Sequence, residues 1–339
     1  MRIGVDAMGS DRAPAVEVEG GVAACAQLSD DDTIVLVGNK PAIQKALARQ
    51  KGPQDKIEIV HANQRIGMNE SPVESLRTKP NSSIAVLAQL HAEGAIEACI
   101  SAGNTGAFVS ATQMRLRRLR GVHRPGVGIM IPTLHGPVVL CDGGANMSCR
   151  PRHLYQYAIM ASIYMETVYG VKNPRVGLLS VGEEDEKGTD LVRAANGLIK
   201  RDSSIYFIGN VESRDLFHGA CDVMVCDGFV GNVVIKLIEG MSGGLIRDIL
   251  NNLKDLTTST PELRQIAMRA AGQTLETYDF NQHGGAPVLG VGGIVILCHG
   301  ANSCLGMTNA VLLAHKYARH KVNQRITERL TQDERTGNG

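Results

Sequence analysis

Ala98-Cys-Ile100 runs without a polar break into Ser101-Ala-Gly-Asn-Thr-Gly-Ala107, and this junction of an apolar run with a glycine-rich turn decides the fold. An uninterrupted apolar run predicts a strand covered on both faces, as in a parallel sheet. The pattern recurs: Ile3–Val5 precedes Asp6, Thr33–Val37 precedes Gly38, and Ile57–Val60 precedes His61. Further along, Val138–Cys141 precedes Asp142, Val176–Leu179 precedes Ser180, and Ile205–Ile208 precedes Gly209. Val223–Cys226 leads into Asp227, and Ile294–Cys298 into His299. Between these runs the spacing predicts helices over His153–Tyr169, Thr189–Lys200, Val233–Leu253 and Asn302–Tyr317, and Asn81 or Ser82 caps one running to His91. Strand–helix alternation of this kind specifies an α/β protein with a mostly parallel, doubly wound sheet.

A chain of 339 residues supports a large core, and 43% hydrophobic with 20% charged residues is ordinary for a globular protein. Lys+Arg 35 against Asp+Glu 34 leaves a formal charge of +1, so no global field draws nucleic acid. With 4% aromatic residues and no Trp there are few stacking platforms for single strands. None of the eight cysteines forms a C-x-x-C pair, which favours buried reduced thiols in a cytoplasmic protein over a metal or disulfide framework. No metal or cofactor is expected. No apolar stretch approaches membrane-spanning length. A single domain is expected over 1–328, with a projecting helical arm over 251–283 and a frayed polar tail over 329–339.

Ligands of open α/β sheets bind outside the carboxyl ends of the strands. Those ends carry the chain's most unusual segments: 101–107, 141–146, 180–190, 209–215, 226–232 and 298–302. Glycine lets a backbone approach a ligand closely, and successive N–H groups at a helix start hold anions. Each segment taken singly also reads as turn chemistry. Familiar motifs fail. Lys187-Gly188-Thr189 reverses the Gly-Lys order of a P-loop, and no G-x-G-x-x-G follows a strand. Gly240-Met-Ser242-Gly-Gly244 matches the serine-hydrolase elbow, but the residues before it read as helix where the elbow needs a strand.

At these segments the chain closely resembles the bacterial acyl carrier protein:phosphate acyltransferases, the PlsX family of phospholipid synthesis. The likeness runs from Asp6-Ala-Met8-Gly9 through Ile66-Gly-Met68, 101–107, Asp142 with Gly144-Ala-Asn146, 182–188, 209–212, 226–232 and 284–287 to His299-Gly300. The resemblance implies a three-layer α/β/α fold related to phosphotransacetylases and isocitrate dehydrogenase-like enzymes, and a homodimer. It implies transfer of a long acyl chain from acyl carrier protein to inorganic phosphate, the acyl phosphate then feeding a membrane glycerol-phosphate acyltransferase. Family members also associate peripherally with the inner face of the membrane, in some cases through an apolar helical tip; Asn251–Thr277 is polar here. Ser10 and Arg12 stand where the family usually has Gly and His, and His283 replaces a common Tyr.

Phosphate is itself an anionic nucleophile, so such an enzyme must position it, stabilise an oxyanion and protonate a leaving thiolate. Lys187 with Gly188 is the candidate phosphate or oxyanion contact, against a solvated lysine in a charged run. Asn232 after Gly231 is a second contact or an N-cap, and Asn104 and Thr105 beside Gly103 carry the same two readings. His299 is the candidate acid or a structural histidine. Asp6, Asp142, Asn146, Glu212 and Asp227 orient these groups or cap loops. The basic run Arg115, Arg117, Arg118 and Arg120 docks the acidic carrier protein or forms a solvated helix end. Two alternatives accompany this reading: a phosphotransacetylase-like enzyme using acyl-CoA, and a non-catalytic carrier- or anion-binding protein.

Overall fold

Along the central apolar runs residues of both parities are buried, because those strands are covered on both faces, whereas the edge runs Ile57–His61 and Phe207–Val211 are only partly covered. Ala98, Cys99 and Ile100 are all at 0% exposure, as are Val139, Leu140 and Cys141. The computed structural model describes residues 1–256, 265–266, 269–270, 272 and 278–336. The chain divides into two compact units, each with its own run of buried strands. The first comprises Met1–Ile129, Ile159–Lys172 and the chain from Asn281; the second comprises Met130–Ala158 and Asn173–Phe280.

In the first unit the strands are β1 (Arg2–Asp6), β2 (Thr33–Gly38), β3 (Ile57–His61), β4 (Ala98–Ser101), β5 (Gly126–Ile131, in this unit through Ile129), β10 (Ala286–Leu289) and β11 (Ile294–Leu297). They run in the order β3-β2-β1-β4-β11-β10-β5. All pairs from β3 to β11 are parallel, while β10 is antiparallel to β11 and to β5. The chain builds outward from β1 to β3 and then returns to the other side of β1 as β4. In open α/β sheets ligands bind where the strand order reverses in this way, here at the carboxyl ends of β1 and β4. The flanking helices include α1 (Ala15–Cys25), α3 (Pro72–Thr78), α4 (Ser83–Ala92) and α5 (Thr105–Leu116).

The second unit carries β6 (Val138–Cys141), β7 (Val176–Leu179), β8 (Phe207–Val211) and β9 (Val223–Val225), ordered β6-β9-β7-β8 and all parallel. Its helices include α6 (Pro151–Tyr164, in this unit through Ala158), α7 (Asp190–Lys200) and α8 (Gly228–Leu256). Ser242 lies inside α8, so the hydrolase elbow is absent. The strand expected over Ile205–Ile208 begins instead at Phe207, because Asp202 holds a turn by accepting from the Ser204 N–H at 3.0 Å.

Two expectations need correction or restriction. The polar tail is helical through Thr336: α9 (Cys304–Arg319) is followed by α10 (Val322–Thr336), whose Val322, Ile326 and Leu330 are fully buried. Asn323 ties α10 down by donating to the carbonyls of Val291 (3.2 Å) and Gly293 (2.9 Å). The projecting arm expected over 251–283 falls largely outside the described residues.

His91, at the end of α4, is one structural histidine that sequence reading passed over. Its Nε2 accepts the Ile294 N–H at 3.0 Å, so the proton sits on Nδ1, which donates to the Ile96 carbonyl at 3.0 Å. Burial pushes this imidazole below its ordinary 6.5, since charging it would set two N–H groups against each other. A depressed folded pKa means stability fully present above about pH 6.5 and lost as pH falls through the folded value. The drop in urea midpoint between pH 8 and pH 5 is therefore expected to be smaller in His91→Gln than in the parent chain. Equal drops in both proteins would rule His91 out as a source.

Candidate active site

Asp142 organises the second unit's strand ends. Fully buried after β6, it accepts from the N–H groups of Gly144 (3.1 Å), Ala145 (3.0 Å) and Asn146 (2.8 Å), and from Asn146 Nδ2 (3.0 Å). Asn146 also donates to the Tyr157 hydroxyl at 2.9 Å. The next loop locks onto this one: the Gly228 N–H donates to the Asn146 carbonyl at 2.9 Å. Asp227 accepts from Phe229 (2.9 Å) and Val230 (3.0 Å), which makes it the cap of α8. Asn232 is therefore no N-cap; it lies within the first turns of α8, half-buried. Gly144, at φ +133°, faces it: a Cβ there would sit 3.4 Å from the Asn232 Cβ and 3.9 Å from its Oδ1.

Lys187 belongs to the loop after β7, two strand positions from β6 and so about 10 Å away across the sheet. Its stem crosses Gly182, with Cγ 3.1 Å from where a Cβ would stand. Asn210 braces the loop by donating to the Glu184 carbonyl at 2.7 Å. Asn196 links Asn210 Oδ1 (3.0 Å) to Asp185 (3.2 Å), and Lys200 closes an ion pair on Asp185. Gly188, at φ +94°, leaves room for Ser180 Oγ and Val192. Among the described residues, no carboxylate pairs with Lys187, although the run around it is acidic. Glu212 is committed elsewhere, to a capping box with Asp215 and an ion pair with Arg214 at 2.8 Å.

The first unit gathers Asp6, Gly103, Asn104, Thr105 and His299 at the ends of the adjacent strands β1, β4 and β11. Asp6 is buried and accepts from Ser101 Oγ (2.7 Å) across the reversal of strand order, and from the Met8 N–H (3.1 Å). Burial raises its carboxyl, against the opposing pull of Ser83, Ser101, the Met8 amide and Arg65. Asn104 has its side chain occupied: Oδ1 caps α5 at Ala107 (3.0 Å), and Nδ2 donates to the carbonyls of Gly67, Met68 and Glu70. Exposed His299 accepts the Ala301 N–H on Nδ1 at 3.1 Å, which leaves the neutral ring's proton on Nε2, facing solvent. Arg115, Arg117, Arg118 and Arg120 are all exposed at the end of α5, with Arg118 hydrogen-bonded to the His123 carbonyl.

Sequence reasoning missed Asn196, Arg65 and the Glu70–Lys79 pair (2.6 Å) that clamps the 65–70 loop. Asn210 lay in a quoted motif, yet nothing in that motif revealed its partner on α7. Six cysteines are buried and Cys149 and Cys304 half-buried, all unpaired. No helix of the described residues is long and apolar enough to cross a membrane.

Parallel strands ending in glycine-rich loops define an α/β fold of the phosphotransacetylase class. A phosphotransacetylase from Streptococcus pyogenes superposes with a TM-score of 0.61 at 15% identity, covering 96% of this chain and 94% of that one. A family model described as fatty acid synthesis protein matches residues 1–325. The phosphate acyltransferase of Heliobacterium modesticaldum is 44% identical over 93% of each chain. That of Geotalea uraniireducens is 42% identical over 98% of this chain and 95% of the relative. The chain belongs to the fatty acid synthesis protein family, the family that its strand-end motifs resemble.

Proposed function

We propose that this protein is a phosphate acyltransferase that moves a long acyl group from acyl carrier protein to inorganic phosphate. The observation that carries the reading is a braced loop holding an unpaired ammonium, Lys187, at the same sheet edge as the glycine cradle of 142–146 and 227–232. Lys187 neutralises phosphate as its oxygen attacks the thioester carbon, and Asn232 with the loop amides receives the developing oxyanion. Collapse of the tetrahedral intermediate expels the thiolate, which takes up a proton as the carrier leaves. Nothing in this sequence of steps needs a protein nucleophile.

The exposed arginines after α5 support an acidic protein as donor, because opposite charge speeds encounter. A stripe on α8 supports assembly with a second copy: Phe229, Val233, Leu237, Met241 and Leu245 are each more than half exposed at four-residue spacing. Sedimentation equilibrium tests this point, and a monomer at micromolar concentration would reject it.

The decisive assay mixes the protein with phosphate and either palmitoyl carrier protein or palmitoyl-CoA, counts freed thiol, and traps acyl phosphate with hydroxylamine. Thiol release that needs phosphate, matched by hydroxamate and slowed by salt with the carrier donor alone, is expected. Equal use of palmitoyl-CoA would move the assignment to the acyl-CoA enzymes. Binding without turnover on either donor would leave a non-catalytic role.

A further inference from the structure

Two guanidiniums in the first unit are anchored on the two sides of one loop junction. Arg65 donates from Nη2 to the Ser10 carbonyl at 3.1 Å, and Arg12 donates from Nη2 to the Asn302 carbonyl at 3.2 Å. The two anchors belong to one backbone contact, because the Asp11 N–H donates to the Gly300 carbonyl at 2.9 Å. A further hydrogen bond, from the Asn302 N–H to the His299 carbonyl at 3.0 Å, folds that side of the junction into a turn. Both arginines are exposed, and among the described residues neither forms an ion pair. Each spends one of five N–H donors on a carbonyl, which fixes the head while leaving the rest of its fork open.

Among the described residues the carboxylates nearby form no ion pair with either arginine. Asp6 is buried and already accepts from Ser101 and Met8. Glu17 is buried and accepts from the Ser10 N–H at 2.8 Å. Asp11 lies beside Gly300 without pairing to either arginine among the described residues. The Asn302 side-chain amide, on a residue 4% exposed, has no acceptor among the described residues. A surplus of fixed donors around positive charge is the chemistry of an anion site.

We propose that Arg12 and Arg65 form a two-guanidinium site for a phosphate group. Resting on the acyl-transfer reading, two sources supply that chemistry: the phosphodiester of the donor's pantetheine arm, and inorganic phosphate itself. The test is the double variant Arg12→Gln/Arg65→Gln, assayed with palmitoyl carrier protein and with palmitoyl-pantetheine, which lacks the phosphodiester. A rise of about tenfold in one KM with kcat little changed is expected from losing charge-assisted contacts outside the reacting atoms. If the donor arm is the ligand, the rise falls on the carrier substrate and shrinks to below about twofold with palmitoyl-pantetheine. If inorganic phosphate is the ligand, its KM rises with either donor. Unchanged KM values for every substrate overturn the proposal. Calorimetric titration of parent and variant with phosphopantetheine and with inorganic phosphate separates this site from the wider reading. Weaker binding by the variant supports the site even if the parent shows no turnover, and equal binding overturns it.

Discussion

Lys187→Ala is expected to lower kcat for phosphate-dependent thioester cleavage by about 10²- to 10³-fold, the range seen when one preorganised stabiliser of developing charge is lost. A lysine on a surface run would ordinarily contribute little, since a flexible ammonium in water is well solvated without a partner. Here the loop around it is held at three places: Asn210 on the Glu184 carbonyl, Asn196 on Asp185, and Lys200 on Asp185. The side chain itself crosses the bare Cα of Gly182, which restricts its first torsions. None of those braces uses the ammonium, so alanine removes the charge and leaves the loop standing. Far-ultraviolet circular dichroism and the urea midpoint should match the parent while kcat falls. Lys187→Arg should recover only part of the rate, because a planar fork replaces a compact point charge. Kinetics unchanged by alanine would take Lys187 out of the mechanism.

The fold was legible where chemistry is local. Val138–Cys141 and Val176–Leu179 are strands with those bounds, because an uninterrupted apolar run has few alternatives to a strand buried on both faces. Gly126–Ile131 and Ala286–Leu289 escaped notice, since two glycines break the first run and Pro287 sits in the second. The antiparallel pairing of β10 follows from its neighbours in space and leaves no mark in its four residues. In the tail, Val322, Ile326 and Leu330 recur every four residues, a helical stripe in plain view. Three apolar residues among many polar ones gave it too little weight. The strand-end loops were readable as glycine-rich turns for the same local reason as the strands. Individual roles were not, because a hydrogen-bond partner distant in sequence decides them. Asn104 looks like a ligand contact until its three carbonyl partners in the 67–70 loop are seen. Asp227 looks like an orienting carboxylate until it is found capping α8.

Gly231→Ala carries the largest expected effect on the fold, and the reason is backbone packing. A Cβ at residue 231 would lie 2.0 Å from the Asp142 carbonyl oxygen and 3.0 Å from its carbon. Both belong to a buried main chain that cannot rotate aside. Asp142 holds four donors of the neighbouring loop, so moving its peptide disturbs residues 144–146 as well. The alternative is a shift of α8, which carries Asn232 on the very next residue. Overpacking of this kind, with backbone on the other side, is expected to cost about 3 kcal/mol or more and to remove most of the activity. Gly197, inside α7 with nothing within 4 Å of its Cβ position, is the matched control. There the same change is expected to stabilise the protein by about 0.5–1 kcal/mol, because alanine is the better helix former. Urea denaturation of the two variants reads both effects, with the midpoint falling for Gly231→Ala and rising for Gly197→Ala at an unchanged slope. A Gly231→Ala protein with the parent's midpoint and turnover would mean that the two strand-end loops are not packed backbone against backbone, and the cradle built on that contact would have to be abandoned.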